Sequence, residues 1–319
     1  MNKNLKTIKI LNPGPLTTIQ DRGRYGFQDR GVPVSGAMDQ GAYRLGNLMV
    51  GNKSDEAALE ITLGGFKAEF LTDAFFCVSG PEQEVRLNNH VILTWTVHHA
   101  VSGDVLSLGY GRKGVRWYLA LAGGVEVPMI MGSRSTYLRG GFGGLEGRLL
   151  RKGDELAVGR PNGARPSSSI PKELIPDYSP EPILRVVLGP QDEAISEEGL
   201  DTFFNSAYTV TQRSDRMGCL LEGQPIQHKK GPDIISDATA FGSIQVPGSG
   251  QPIILMADRQ TVGGYVKIAT VISVDLPLAA QALPGYRIRF KEIGLQEAQD
   301  LLGEREKPIE EFFGIGGRV

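Results

Sequence analysis

Glycine fills 42 of the 319 positions, about 13 % against the ~7 % of an average protein, and it recurs with no fixed period. Punctuation this dense works against long helices and favours short strands joined by tight turns. Between the glycines stand runs rich in β-branched and aromatic residues, at 6–11, 66–71, 75–79, 91–97, 105–108, 115–122 and 155–158. The first half therefore reads as mainly β. Residues 37–49 carry the apolar spacing of a helix, with Ser35 placed to cap it, and 56–63 reads as a turn or a strand.

Between Arg160 and Pro182 stand six prolines with Ser167, Ser168 and Ser169 among them, and apolar periodicity disappears. That composition marks an extended linker or strap. It gives an N-terminal lobe at residues 1–159, a linker at 160–182 and a C-terminal lobe at 183–319. In the second lobe 183–188, 208–211, 253–257, 266–274 and 288–293 read as strands. Residues 191–205 and 276–283 read as helices, and 295–313 as a helical tail interrupted at Gly303 and Pro308. The order of elements weakly repeats that of the first half, so two β-rich lobes of similar topology, of barrel type, are expected.

The 34 basic and 36 acidic residues leave a net charge of −2 with both signs dispersed, which disfavours nucleic acid and membrane surfaces as partners. No stretch reaches the 18 apolar residues that span a bilayer, and residues 1–10 alternate like a strand and do not resemble a signal peptide. A cytoplasmic protein is expected. Cys77 and Cys219 are too few for a disulfide framework and lack metal-ligand spacing, and His90, His98, His99 and His228 fit no zinc pattern. No metal is expected. Gly109–Gly114 matches the G-x-G-x-x-G fingerprint, but a strand follows it rather than the helix that would hold a pyrophosphate.

Four stretches concentrate charged and hydroxyl residues among glycines, where a β scaffold places binding loops. The first holds Asp21 and Arg24 and runs on through 31–39 to Asp39; its arginines suit a carboxylate, and an ion pair with Asp21 that merely folds the loop is the alternative. The second, 132–144, sets Arg134 and Ser135 among glycines whose N–H groups would approach an anion. The third holds Asp215 and Arg216. In the fourth, 242–267, an apolar strand ends in Asp258-Arg259-Gln260, with Gln245 before it and Lys267 after. There Asp258 reads as a general base or as the orienter of Arg259, and Lys267 as the cation for a developing oxyanion; an Asp–Arg pair fixing a barrel corner is the structural alternative.

Together these stretches resemble the biotin-dependent carboxyltransferase-like family, which includes the C subunit of bacterial ATP-dependent 5-oxoprolinase (the KipA-type proteins) and one part of the carboxyltransferase domain of urea carboxylase. The resemblance runs from about residue 5 to 290, most specifically at 20–26 with 31–39, 132–141, 214–218 with Glu222-Gly223, and 242–270. It implies two cyclophilin-like β-barrel lobes with a few short helices. It also implies a component that opens 5-oxoproline to L-glutamate together with two others, a KipI-like B subunit and a LamB/YcsF-like A subunit. ATP is then used by the complex, with no metal or covalent cofactor in this chain. The catalytic residues expected on this reading are Asp258, Gln260 and Lys267, which would polarise the amide. Asp21, Arg24, Asp39, Arg134, Ser135, Asp215, Arg216, Gln245 and Arg259 would bind substrate, with Arg24, Arg134 or Arg216 on its carboxylate. Two alternatives stand beside it: the carboxyltransferase component of a biotin-dependent urea or amide carboxylase, and a regulatory antagonist that binds a KipI-type kinase inhibitor.

Overall fold

A computed structural model describes residues 6–111, 113–161 and 166–315. Outside the described residues lie 1–5, ahead of the expected strand at 6–11, Arg112 of the Gly109–Gly114 stretch, 162–165 of the proline-rich segment and 316–319. The protein is mainly β. It divides into two compact units, Met1–Gly26 with Ser35–Asp177, and Phe27–Val34 with Tyr178–Val319. The division thus falls between 177 and 178, and eight residues from the first third of the chain belong to the second unit.

In the first unit two sheets enclose one core. The larger runs Val125–Glu126, Glu155–Val158, Lys6–Pro13, Phe66–Phe70, Val105–Leu108, Val85–Leu87 and His90–Ile92; the smaller runs Leu16–Gln20, Ala58–Thr62, Arg116–Leu121, Ala74–Ser79 and Val97–Ala100. Alternate residues of both sheets point inward, as a period of two requires. Ile8, Ile10, Phe66 and Phe70 from the larger sheet meet Ile19, Leu59, Ile61, Phe76, Trp117 and Leu119 from the smaller, all buried.

In the second unit the strand pairings run round to their start. From Ile183–Leu188 they pass through Arg287–Glu292, Tyr208–Val210, Gly218–Glu222, Ile253–Leu255 and Ser243–Val246 to Val262–Val271. That last strand pairs back to the first through Val186 and Val271. Asp233–Ala238 hangs on Val262–Val271 as an edge strand.

Helices are few and short except one. The first, α1, spans Gln40–Met49 and begins three residues later than its apolar pattern suggests, because Asp39 is its cap: the Asp39 carboxylate accepts from the Ala42 N–H at 2.9 Å. Ser35 is not the cap; it sits upstream in the left-handed region at φ 56°, and its buried hydroxyl has no partner. Residues 191–205 resolve into a 3-10 turn at Asp192–Ala194 and α2 at Glu197–Asn205, capped by Ser196. A single turn and a half, α3, spans Leu276–Ala280. The tail is one continuous helix, α4, at Leu295–Phe313, and neither Gly303 nor Pro308 breaks it. Pro308 removes one N–H bond, to the carbonyl of Glu304, and both residues are exposed, so the defect lies on the solvent side of the helix.

A Cβ at Gly303 would meet nothing within 4 Å. Gly303→Ala will therefore stabilise α4 by about 0.5–1 kcal/mol, the difference in helix propensity. Slower amide hydrogen exchange across Leu295–Phe313 is the readout, and faster exchange would show that the helix needs the glycine.

Candidate functional site

In the first unit the polar residues converge on one carboxylate. Asp21 follows the strand Leu16–Gln20 and is almost fully buried. Its Oδ1 accepts from Ser133 Oγ at 2.7 Å, Ser135 Oγ at 2.5 Å and the Gly23 N–H at 2.8 Å, and its Oδ2 from the Arg134 N–H at 2.5 Å. The Asp21 N–H in turn donates to Ser135 Oγ. Asp21 thus ties two loops more than a hundred residues apart in sequence.

Arg24 is fully buried; its Nη2 donates to the Ser135 carbonyl at 2.5 Å, and its guanidinium lies 4.8 Å from the centre of the Phe142 ring. The glycines of 132–144 make that packing possible. At Gly143, φ is +74° and a Cβ would stand 2.0 Å from the Ser135 oxygen and 2.8 Å from Arg24 Nη2. Two of their N–H groups are spent internally, Gly141 donating to the carbonyl of Tyr137 and Gly144 to that of Arg134, and just beyond them Gly147 donates to Gly143. These bonds fold part of the loop upon itself. The Arg134 side chain, partly exposed, reaches the Val127 carbonyl and stands 3.8 Å from Glu56. Asp39 is committed to capping α1.

In the second unit the strand Ile253–Leu255 leads to Asp258, whose backbone N–H donates to the Arg216 carbonyl at 2.7 Å. Their side chains meet again: Arg216 Nε and Nη2 donate to the two Asp258 oxygens at 2.9 and 3.0 Å, both side chains 7 % exposed. The bidentate fork engages both carboxylate oxygens, so in this structure Asp258 orients Arg216, where Arg259 was the expected partner. Asp215 folds the turn beside it by accepting from the Met217 and Gly218 N–H groups. Arg259 reaches the carbonyls of Thr239 and Met256 and lies 5.7 Å from the Phe241 ring centre.

Segments 237–239 and 258–261 run side by side, joined by the Thr239 N–H to the Thr261 carbonyl and by the Thr239 hydroxyl to the Gln260 carbonyl. They bring Gln260 to Gln245, Nε2 to Oε1 at 3.1 Å. Gln245 faces Lys267 directly across two paired strands. Lys267, 4 % exposed, donates from Nζ to Asp237 Oδ2 at 2.5 Å and to the Ala238 carbonyl at 2.7 Å. The hydrogen bond from Lys267 holds the Asp237 carboxyl below the usual carboxylate range. Gln245 Nε2 is buried without a hydrogen-bond partner.

The structure therefore gathers Gln245, Gln260 and Lys267, pairs Arg216 with Asp258, and in the other unit gathers Asp21, Arg24, Arg134 and Ser135. Ser133 and Asp237 were not expected. The Ser-x-Ser spacing at 133 and 135, two residues apart and so on one side of an extended segment, is the signal that marks Ser133.

The second unit's closed ring of strands and the two-sheet first unit together superpose on the solved Kluyveromyces lactis urea carboxylase with a TM-score of 0.92 and 33 % identity, over 98 % of this chain and 30 % of that one. This is the architecture of a carboxyltransferase domain. The chain belongs to the family of carboxyltransferase domains, subdomains A and B, whose pattern matches residues 30–292. It is also similar along nearly its whole length to the 5-oxoprolinase C subunit of Escherichia coli (strain K12), 38 % identical over 96 % of this chain and 97 % of the relative, and to that of Haemophilus influenzae, 37 % identical over 94 % and 95 %.

Proposed function

We propose that this chain is the C subunit of a 5-oxoprolinase, an enzyme component that helps open the 5-oxoproline lactam to L-glutamate. One observation carries the reading: the match to the two bacterial 5-oxoprolinase relatives spans both chains end to end, whereas the urea carboxylase is more than three times longer than the part this chain covers. Water adds to the lactam carbonyl carbon, the ring C–N bond breaks and the nitrogen leaves as the amine. The slow event is loss of amide resonance, which donors on the carbonyl oxygen ease. Two buried donors suit that oxygen. Gln245 Nε2 has no partner, and an ammonium has three N–H donors of which Lys267 directs two to Asp237 and Ala238.

Its partners on this reading are a KipI-like B subunit and a LamB/YcsF-like A subunit, in the cytoplasm, with ATP consumed by the complex. We place ATP with the partners, because the Gly109–Gly114 stretch runs into the strand Arg116–Leu121 and not into a helix N-terminus. Among the described residues no helix is long and apolar enough to cross a membrane.

The test is glutamate formation from 5-oxoproline and ATP by the two purified partners, with and without this chain. Turnover confined to the complete mixture is expected. The urea carboxylase superposition favours a second reading, carboxyl transfer from carboxybiotin to urea or a related amide. Recovery of a biotinylated partner with this chain, together with no glutamate formation, would move the assignment there.

A further inference from the structure

The edge strand Asp233–Ala238 is irregular where it passes the site. Asp233 pairs with Tyr265 and Asp237 with Gly263, so four steps on one strand match two on the other. Regular pairing would set Ile235 opposite Gly263; instead the two extra residues loop out and Ile235 is 95 % exposed. A bulge of this kind re-aims the side chains that follow it. Here it brings Asp237, itself half-exposed, onto the ammonium of Lys267, and Ala238 supplies its carbonyl beside it. Burying an ammonium at 5 % side-chain exposure is costly without such partners. With both in place, one N–H of Lys267 is left without a protein acceptor among the described residues.

We propose that Asp237 is a positioning residue for the reaction: carried by the bulged edge strand, it clamps Lys267 as a charged donor and reserves one N–H for the oxygen of the substrate. The inference rests on the 5-oxoprolinase reading and adds to it a residue that never touches substrate. It also assigns a role to an exposed, irregular strand that the core does not require.

The experiment compares wild type, Asp237→Asn and Asp237→Glu in the reconstituted three-component mixture. Asp237→Asn is expected to lower kcat by about a hundredfold, the cost of disabling one oxyanion donor, with KM changing far less, while Asp237→Glu recovers most of the rate. Wild-type kinetics in Asp237→Asn overturn the proposal, and so do equal losses of kcat and Tm in both variants, which mark a structural brace. Acetylation of Lys267 by acetic anhydride, read by peptide mass mapping, is the arm that does not depend on turnover. The Asp237 carboxylate holds and covers the amine, so Asp237→Asn is expected to raise Lys267 labelling and Asp237→Glu to leave it low. Unchanged labelling overturns the clamp. If wild type forms no glutamate, the functional reading fails and the labelling arm still decides the role of Asp237.

Discussion

Truncating Asp258 to alanine will cost the second unit about 3–5 kcal/mol, the scale for breaking a buried ion pair by removing one partner. The group that loses its bidentate partner would be Arg216, whose Nε and Nη2 both lean on that carboxylate. The backbone bond from the Asp258 N–H to the Arg216 carbonyl survives the change, so the loss isolates the side chains. Urea unfolding followed by far-ultraviolet circular dichroism measures it. The double variant Arg216→Met/Asp258→Leu should recover most of the stability, since apolar replacement of a whole buried pair is often neutral. A loss below about 1 kcal/mol, the range of solvated surface pairs, would show that water already reaches the fork. On the proposed function the single variant also loses turnover while still folded, because the fork that orients Arg216 is broken. Full turnover in a folded variant would remove both residues from the site.

Asp21→Ala will be comparably severe in the first unit, by about 3 kcal/mol or more. Four donors lose one charged acceptor: the hydroxyls of Ser133 and Ser135 and the N–H groups of Arg134 and Gly23. Each bond to a charged group contributes roughly 1.5–3 kcal/mol, and bonds that share an atom do not add. Both tryptophans, Trp95 and Trp117, are buried in this unit, so tryptophan emission follows its unfolding. Asp21→Asn should rescue little, since an amide turns two donors toward groups that already donate. Wild-type stability in either variant would show that the two loops hold together without the carboxylate.

How far the sequence could be read depended on whether each signal was local. The β-branched runs at 6–11, 66–71, 75–79, 105–108, 115–122 and 155–158 coincide with strands of the first unit, because a period of two is written into a few residues. The run at 91–97 does not, since the chain turns at Trp95, φ 55°, between His90–Ile92 and Val97–Ala100, and Leu16–Gln20 lies in no such run. Asp233–Ala238 was not legible: it carries aspartates at or beside both ends, exposes nearly every side chain and exists by pairing with Val262–Val271. Asp39 and Ser35 are both good caps by composition, and the left-handed backbone at Ser35 decides between them. Gly303 and Pro308 carry the usual signs of a helix end, yet α4 passes both because solvent tolerates the defects. In the candidate site, residue types were legible and pairings were not. Arg216 and Asp258 each stand out by type, but 42 residues separate them and their fork is a tertiary pairing. Ser133 and Asp237 owe their roles to partners 112 and 30 residues away.

The membership of Phe27–Val34 in the second unit has a consequence for synthesis. These residues leave the ribosome early, yet the rest of their unit begins at Tyr178, roughly 140 residues later. At ~5–20 residues per second, they wait roughly seven to thirty seconds, longer still for the strand Arg287–Glu292 that pairs in parallel with Ile183–Leu188. The first unit must therefore fold around an undocked loop carrying Val32, Pro33 and Val34. A protease added to stalled nascent chains should cut at this loop before residue 292 emerges and spare it afterwards.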